Sequence, residues 1–376
     1  MLRELRGIRH FDLILMLVAG LLVAYGAILL YSASLTAYPD GIAGLSHPVL
    51  KQLAFAAVGL GLTLLIAWLD YRQFGQIAPA LYFLALFLLV IVLFAGESAY
   101  GSRRWISLAG TPLQASEFAK LLTIIALAKF LSDRQREIGK VSTFLLSILI
   151  VALPAMLVMV EPDMGTAIIF GAIWLGMIIT AGARTQHVLA FLAFLVLTIP
   201  FVVLALMGDY QRDRIALFLN PNLDPLGGGF NILQAEISVG SGGFFGRGLT
   251  EGSQTQLDFL QTPTTDYIFS VLGEELGFAG ALLLFALFIF LLFRGLRVAV
   301  LARDSFGRLL ATGIVIMIMF QVFINIAVNV RLLPVTGIPL PFISQGGSSL
   351  LTLFAALGVL QGVLLRHKVV DFKGRL

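Results

Sequence analysis

Asp266 stands where a polar stretch of almost sixty residues, Gly208 to Thr265, gives way to an apolar run; Glu117 and Lys120 lie three apart; and Asp163 sits in a tight EPDMGT turn. A carboxylate fixed at such a junction and withdrawn from water holds its proton more tightly than usual, so it can act as a general base near neutral pH. The same position suits an N-cap or first-turn acid, which the helix dipole favours. Glu117 and Lys120 share one helical face, as an ion pair requires; alternatively, Lys120 meets an anionic ligand and Glu117 holds it in place. Arg103, Arg104, Arg212, Arg214, Arg247 and Arg331 carry guanidinium groups suited to bidentate phosphate contacts, with headgroup anchoring as their plainer role. Glu274 and Glu275 lie inside an apolar run, where packing and chemistry are equally open.

These residues need a membrane scaffold. Hydrophobic residues make up 59% of the chain and charged residues 12%, a balance that a soluble globule does not keep in solution. A spanning helix takes ~20 mainly apolar residues, and such segments lie near 11–33, 50–69, 77–95, 116–132, 143–160, 163–182, 185–207, 266–293, 308–330 and 346–365. The expected fold is therefore all-α and polytopic, a single membrane domain over 1–376 with about ten spans and a long loop, 208–265, between the seventh and eighth. An even number of spans puts both termini on one side. Basic residues are retained in cytoplasmic loops, and an inside amino terminus leaves 17 of the 25 Lys and Arg there. The loop and Asp266 then face outward. The net charge of +4 reflects this orientation and gives no argument for nucleic acid.

What is missing narrows the chemistry. The chain has no cysteine, so thiol chemistry and disulfides are excluded. His10, His47, His187 and His367 fall in separate segments on both sides of the membrane, which disfavours a His-ligated metal or a Ser-His triad. The first apolar run is longer than a signal-peptide core and reads as a retained helix. Phe230, Leu233 and Ile237 follow an i, i+3, i+7 pattern, which predicts a short helix in the headgroup plane. GSGGFFGRG, from Gly240 to Gly248, has the glycine content of a phosphate loop but not its spacing. Pro334, Pro339 and Pro341 cannot lie in a regular helix, so the segment Arg331 to Ser349 is expected to line the same outer cavity as the long loop.

In order along the chain, GSRRWISL, QASEFAK, EPDMGT, DYQRDRI, DPLGGGFNILQAEISVGSGGFFGRG, GSQTQLDFL, TDYIFSVLGEELG and PVTGIPLPFISQGGSS resemble the SEDS family of polytopic cell-wall polymerases. YQRDRI and GSQTQLDFL are nearer to its elongation branch, RodA, than to its division branch, FtsW. The resemblance implies a bacterial cytoplasmic-membrane glycosyltransferase that polymerises lipid II at the outer face, with both termini cytoplasmic. It places the essential acid of a TDFIF-like motif on Asp266, the SExAK-like pair on Glu117 and Lys120, and the aspartate of a QPDxGT-like turn on Asp163. Arg103, Arg104, Arg212, Arg214 and Ser344 join Glu117, Lys120 and Asp163 as substrate-binding candidates. Two departures stand out: QTPTTDY replaces the family's PExHTDF, and Gln345 replaces the tyrosine of SYGGSS.

The implied reaction joins the 4-hydroxyl of an acceptor N-acetylglucosamine to the anomeric carbon of a donor N-acetylmuramic acid and expels undecaprenyl pyrophosphate. It inverts that carbon in one displacement, with Asp266 as base. Charge on the leaving group would fall to Lys120, to arginines or to a carboxylate-held divalent cation, Mg²⁺ or Mn²⁺; no organic cofactor is expected. The implied partners are lipid II, the undecaprenyl-pyrophosphate-linked glycan, a class B penicillin-binding protein and the elongation-complex membrane proteins. The rival readings are a flippase for the lipid-linked precursor and a non-catalytic scaffold. Mid-helix charges and inverted repeats would favour the first, whereas most acids here cluster toward one face.

Overall fold

The computed structural model describes residues 11–367 apart from Asp40, Ala43, Leu45, Tyr100, Gly101, Ala109, Gly110, Met207 and Leu226; the side chains of 97–103, 107–112, 199–207 and 209–210 also lie outside the description. Helices occupy all ten expected segments: α1 (Leu13–Ser34), α2 (Pro48–Trp68), α4 (Ala78–Ala95) after the short α3 (Tyr71–Gln76), α5 (Ala115–Asp133), α6 (Val141–Val160), α7 (Met164–Thr180), α8 (Thr185–Leu206), α12 (Ile268–Leu301), α13 (Ser305–Asn329) and α14 (Gly347–Leu365). Among the described residues seven of these are long and apolar enough to cross a bilayer. Of the other three, α5 carries Glu117, Lys120, Lys129 and Asp133, α7 has 17 residues, and the described apolar part of α8 is Thr185–Thr198. The chain is an all-α polytopic membrane protein.

α14 is the buried centre, with 89% of its apolar window inside the protein against 22% for α2 beside it. Lipid offers no hydrophobic drive between helices, so close backbone approach and interhelical hydrogen bonds must hold them. Between α2 and α14 this is met at Gly59, which lies under the Phe354 ring, and at Thr63, whose hydroxyl donates to the Phe354 carbonyl at 2.7 Å. At the end of the bundle remote from Asp266, the Asp12 side chain accepts from Leu15 N to cap α1 and from Arg294 Nε at 2.8 Å, which ties α1 to α12.

Three features of the other end were not read, or only in part, from the sequence. Residues 97–114 form an antiparallel meander, β1 (Glu97–Ala99), β2 (Ser102–Leu108) and β3 (Thr111–Gln114), with Trp105 opposite Gln114. The long loop is largely helical, with α9 (Asp209–Leu219), α10 (Gly228–Ser241) and α11 (Ser253–Gln256). α10 is the helix expected from Phe230, Leu233 and Ile237. Its buried side is Gly229, Ile232, Ala235 and Ser238; of the apolar stripe that announced the helix, Phe230 meets Phe259, Leu233 is half-buried and Ile237 is 48% exposed.

The third feature is a break in α12. Gly277 has φ +64°, ψ −159°, outside the helical region, so the ladder fails on both sides of it. The glycine-rich stretch closes the gap. Arg247 N and Gly248 N donate to the carbonyls of Glu274 and Glu275, while Phe278 N and Ala279 N donate to those of Gly243 and Phe244. Glycine content in GSGGFFGRG thus serves close backbone approach to a broken helix: a Cβ on Gly242 or Gly246 would fall about 2 Å from the carbonyl oxygens of Gly273 and Glu275. The Glu274 side chain, fully buried, accepts from Gln254 N, Thr255 N and the Thr255 hydroxyl, fastening α11 to α12. This answers for Glu274 the choice between packing and chemistry: it holds the loop.

Candidate active site

The backbone before α12 is clamped at successive carbonyls. Thr264 O accepts from Gln345 N at 2.9 Å, Thr265 O from the Ser344 hydroxyl at 2.6 Å, and Asp266 O from the amides of Asn325 at 3.2 Å and Asn329 at 2.8 Å. Asn329 Oδ1 in turn accepts from Ser270 N and from its hydroxyl, so the end of α13 fixes the start of α12. Asp266 is not the N-cap: the cap position of α12 is Tyr267, and no side chain caps there. With its main chain held by other groups, the half-buried Asp266 carboxyl takes no part in holding the start of α12. Asn325 and Asn329 were not picked out beforehand, although two asparagines at i, i+4 in an apolar run are a legible signal of one polar helix face.

Arg104 comes to the same place from β2. Its Nε donates to Glu161 O at 3.1 Å and its Nη2 to Pro162 O, and Nη1 lies 4.0 Å from Asp163 Oδ2. Asp163 caps α7, accepting from Thr166 N at 3.1 Å and the Thr166 hydroxyl at 3.0 Å, and from Gln114 Nε2 at 3.3 Å. Gly337 separates Arg104 from Asp266: a Cβ there would sit 3.6 Å from Arg104 Nη1 and 3.9 Å from Asp266 Oδ2. Arg214, on α9, donates to Val335 O at 2.8 Å and closes the other side. Burial pushes the Asp266 carboxyl above the usual carboxylate range; Arg214, Arg104 and the Thr265 hydroxyl act against this, and Asp163 adds to it.

Glu117 and Lys120 form the expected ion pair at 2.7 Å. The pair is more withdrawn than its spacing alone required, at 2% and 0% exposure, one turn into the bundle below Gln114. On the same helix Ser116 Oγ, Glu117 Oε2 and Thr123 Oγ1 are buried with no hydrogen-bond partner among the described residues, which marks a polar interior in this part of α5. Ser344 is buried, and its hydroxyl also accepts from Leu340 N at 2.8 Å, so it shapes the backbone under Asp266. Arg212 is exposed on α9 and has contacts of its own. Arg331 pairs with Glu236 at 3.0 Å, and Arg247 bonds Ser253. The Arg103 side chain lies outside the described residues. Among the described residues no three His, Asp or Glu side chains converge as a cation site, and the charges that face Asp266 include two guanidinium groups.

Concave space is found away from Asp266. An apolar groove of about 330 Å³ runs between α12 and α13 past Phe288, Met319 and Phe323, and a polar hollow of about 260 Å³ near Arg72 and Asp304 lies at the opposite end of the bundle. Neither includes Asp266, and the groove lacks polar groups for sugar chemistry.

Gly337 has φ +74°, a conformation that costs an L-residue ~1–2 kcal/mol. Gly337→Ala is therefore expected to shift the strand between Arg104 and Asp266 and to lower turnover by about tenfold with normal membrane insertion. Turnover and membrane yield measured side by side check this; wild-type turnover would show that the spacing has no bearing on the site.

The architecture defines a multi-pass membrane protein in which Asp163, Asp266, Arg104 and Arg214 gather at one end of the bundle. The chain belongs to the FtsW/RodA/SpoVE family, whose model, described as a cell cycle protein, matches residues 12–368. It is thus a bacterial member of the SEDS family, which includes peptidoglycan glycosyltransferases. Stage V sporulation protein E of Bacillus subtilis (strain 168) is 42% identical over 355 residues, covering 94% of this chain and 96% of that protein. A probable peptidoglycan glycosyltransferase FtsW of Geobacter metallireducens is 38% identical over 373 residues, 97% of each chain. Among solved structures, a chain from a peptidoglycan synthase complex that coordinates polymerization and crosslinking superposes with a TM-score of 0.80 at 31% identity, over 94% of this chain and 97% of that one.

Proposed function

We propose that the protein polymerises lipid II into glycan strands at the outer face of the cytoplasmic membrane. The observation that carries this is Asp266, a carboxyl with its backbone clamped by Ser344, Gln345, Asn325 and Asn329 and its side chain set between Arg104 and Arg214. Such an acid is oriented before substrate arrives and basic enough to take a proton from a sugar hydroxyl. Asp266 removes the proton of the acceptor 4-hydroxyl as that oxygen bonds to the donor anomeric carbon. The bond from that carbon to the pyrophosphate breaks on the opposite face, which inverts the centre. Undecaprenyl pyrophosphate leaves with the electron pair, and Arg104 and Arg214 supply positive charge to it. Glu117 and Lys120 form a buried ion pair in the first turns of α5, just after Gln114, which bonds Asp163. A divalent cation, Mg²⁺ or Mn²⁺, would add further charge to the pyrophosphate; no step is assigned to one.

The names of the relatives support the reaction class. The synthase-complex structure supports a crosslinking partner, which we take to be a class B penicillin-binding protein. YQRDRI and GSQTQLDFL support a role in elongation, although the two relatives named above are a sporulation and an FtsW protein.

Orientation is tested on the cysteine-free chain. Glu251, exposed in the long loop, and Gln135, exposed at the far end of α5, lie at opposite ends of the bundle. A cysteine at 251 should react with an impermeant maleimide in intact cells, and one at 135 only after lysis. The reverse pattern would put the cleft in the cytoplasm. Proteoliposomes with lipid II sugars on one leaflet test the reaction itself. Glycan should form only on the leaflet bearing Glu251, whereas movement of lipid II between leaflets without glycan would favour a flippase.

A further inference from the structure

The turn that anchors Arg104 contains a carboxyl with no assigned role. Glu161 is 2% exposed, and neither Oε1 nor Oε2 has a hydrogen-bond partner among the described residues. Its main-chain oxygen, by contrast, is occupied by Arg104 Nε at 3.1 Å. A buried carboxylate without donors is costly, and a neutral carboxyl is much less so. The charged groups that bear on it are Asp163 on the same turn, which opposes its ionisation, and Arg104 from β2, which favours it; Arg104 and Asp163 also bear on Asp266, as does Arg214. Burial, with Asp163, pushes the Glu161 carboxyl up to about 8.

We propose that Glu161 is a positioning residue that sets the place of Arg104: as a neutral carboxyl it leaves the guanidinium between Asp163 and Asp266, and as a carboxylate it draws the guanidinium to itself. Arg104 is already bound to the carbonyls of Glu161 and Pro162, so a side-chain rotation about that anchor brings the guanidinium to the carboxylate with no backbone motion. The sign follows. Below the folded-state value Glu161 is neutral and Arg104 faces the cleft; above it the new charge competes with Asp266 for Arg104 and the leaving group loses its cation. Glycan synthesis then declines on the alkaline side for a reason independent of Asp266, whose own deprotonation only helps as pH rises.

This rests on the polymerase reading, so the test has one arm that does not use activity. Infrared titration of the detergent-solubilised protein should show a protonated-carboxyl band that disappears with a midpoint near pH 8 and is missing from Glu161→Gln. A band unchanged in Glu161→Gln, or lost at ordinary carboxylate pH, overturns the proposal whatever the enzyme does. In the activity arm, with lipid II as substrate, the ratio of the wild-type rate at pH 9 to that at pH 7 should be about one tenth, because the neutral fraction of a carboxyl with its midpoint near pH 8 falls about tenfold between them. Glu161→Gln, a neutral isostere, should hold that ratio near one. Superimposable profiles, or a folded Glu161→Gln inactive at every pH, contradict the positioning role. If wild type makes no glycan at any pH, the polymerase reading fails and the infrared arm still decides the state of Glu161.

Discussion

Asp266→Asn should insert, fold and assemble as the wild type does and yet make glycan ~10²–10⁴-fold more slowly, the range for losing a general base. The backbone at 264–266 is held by Gln345, Ser344, Asn325 and Asn329 and not by the Asp266 side chain, so the amide changes little that the fold depends on. The usual confusion between a catalytic acid and a helix cap is absent here, because Asp266 caps nothing. The wild-type rate should rise with pH through a value above the ordinary carboxylate range, since burial raises the carboxyl and only its ionised form accepts a proton. Rates of lipid II consumption between pH 4 and 8 check both expectations. A variant with half the wild-type rate would leave Asp266 as an electrostatic bystander.

The second large effect concerns Glu117 and Lys120. With both side chains buried and 2.7 Å apart, removal of one leaves the other charge uncompensated, a loss of ~3–5 kcal/mol. Glu117→Ala and Lys120→Ala should each lower thermal stability sharply. The double change Glu117→Leu, Lys120→Met should regain most of it, because replacing a buried pair by apolar groups of similar volume is close to neutral. Glycan synthesis should stay lost in that stable double variant, because the polymerase reading gives the buried pair, whose Glu117 Oε2 has no partner among the described residues, a part in the reaction. Thermal unfolding in detergent and glycan yield, measured on the same preparations, separate the two consequences. An active double variant would reduce the pair to packing.

Much of this could be read from residue order. Long apolar runs located the helices because lipid demands an apolar surface and internal hydrogen bonding together. The i, i+3 spacing of Glu117 and Lys120 implied their pairing, and the change from polar to apolar at Asp266 marked the start of α12, where Arg104 and Arg214 converge. Other elements depend on distant partners. The pairing of Trp105 with Gln114 is a choice of register that a short segment such as SRRWISL does not announce. Gly277 looks like any glycine in an apolar run until Gly242–Gly248 lies against it, and Glu274 looked equally suited to chemistry until its three donors in residues 254–255 were seen. Arg104 and Glu161 are separated by 57 positions, so neither could be assigned to the other without the fold.

The polymerase reading is tested most directly with purified wild-type protein, alone and with a class B penicillin-binding protein, incubated with lipid II and separated on a gel. It predicts a ladder of glycan strands with release of undecaprenyl pyrophosphate, strongest with the partner and absent from Asp266→Asn. Intact lipid II in every lane, with the partner bound, would contradict it.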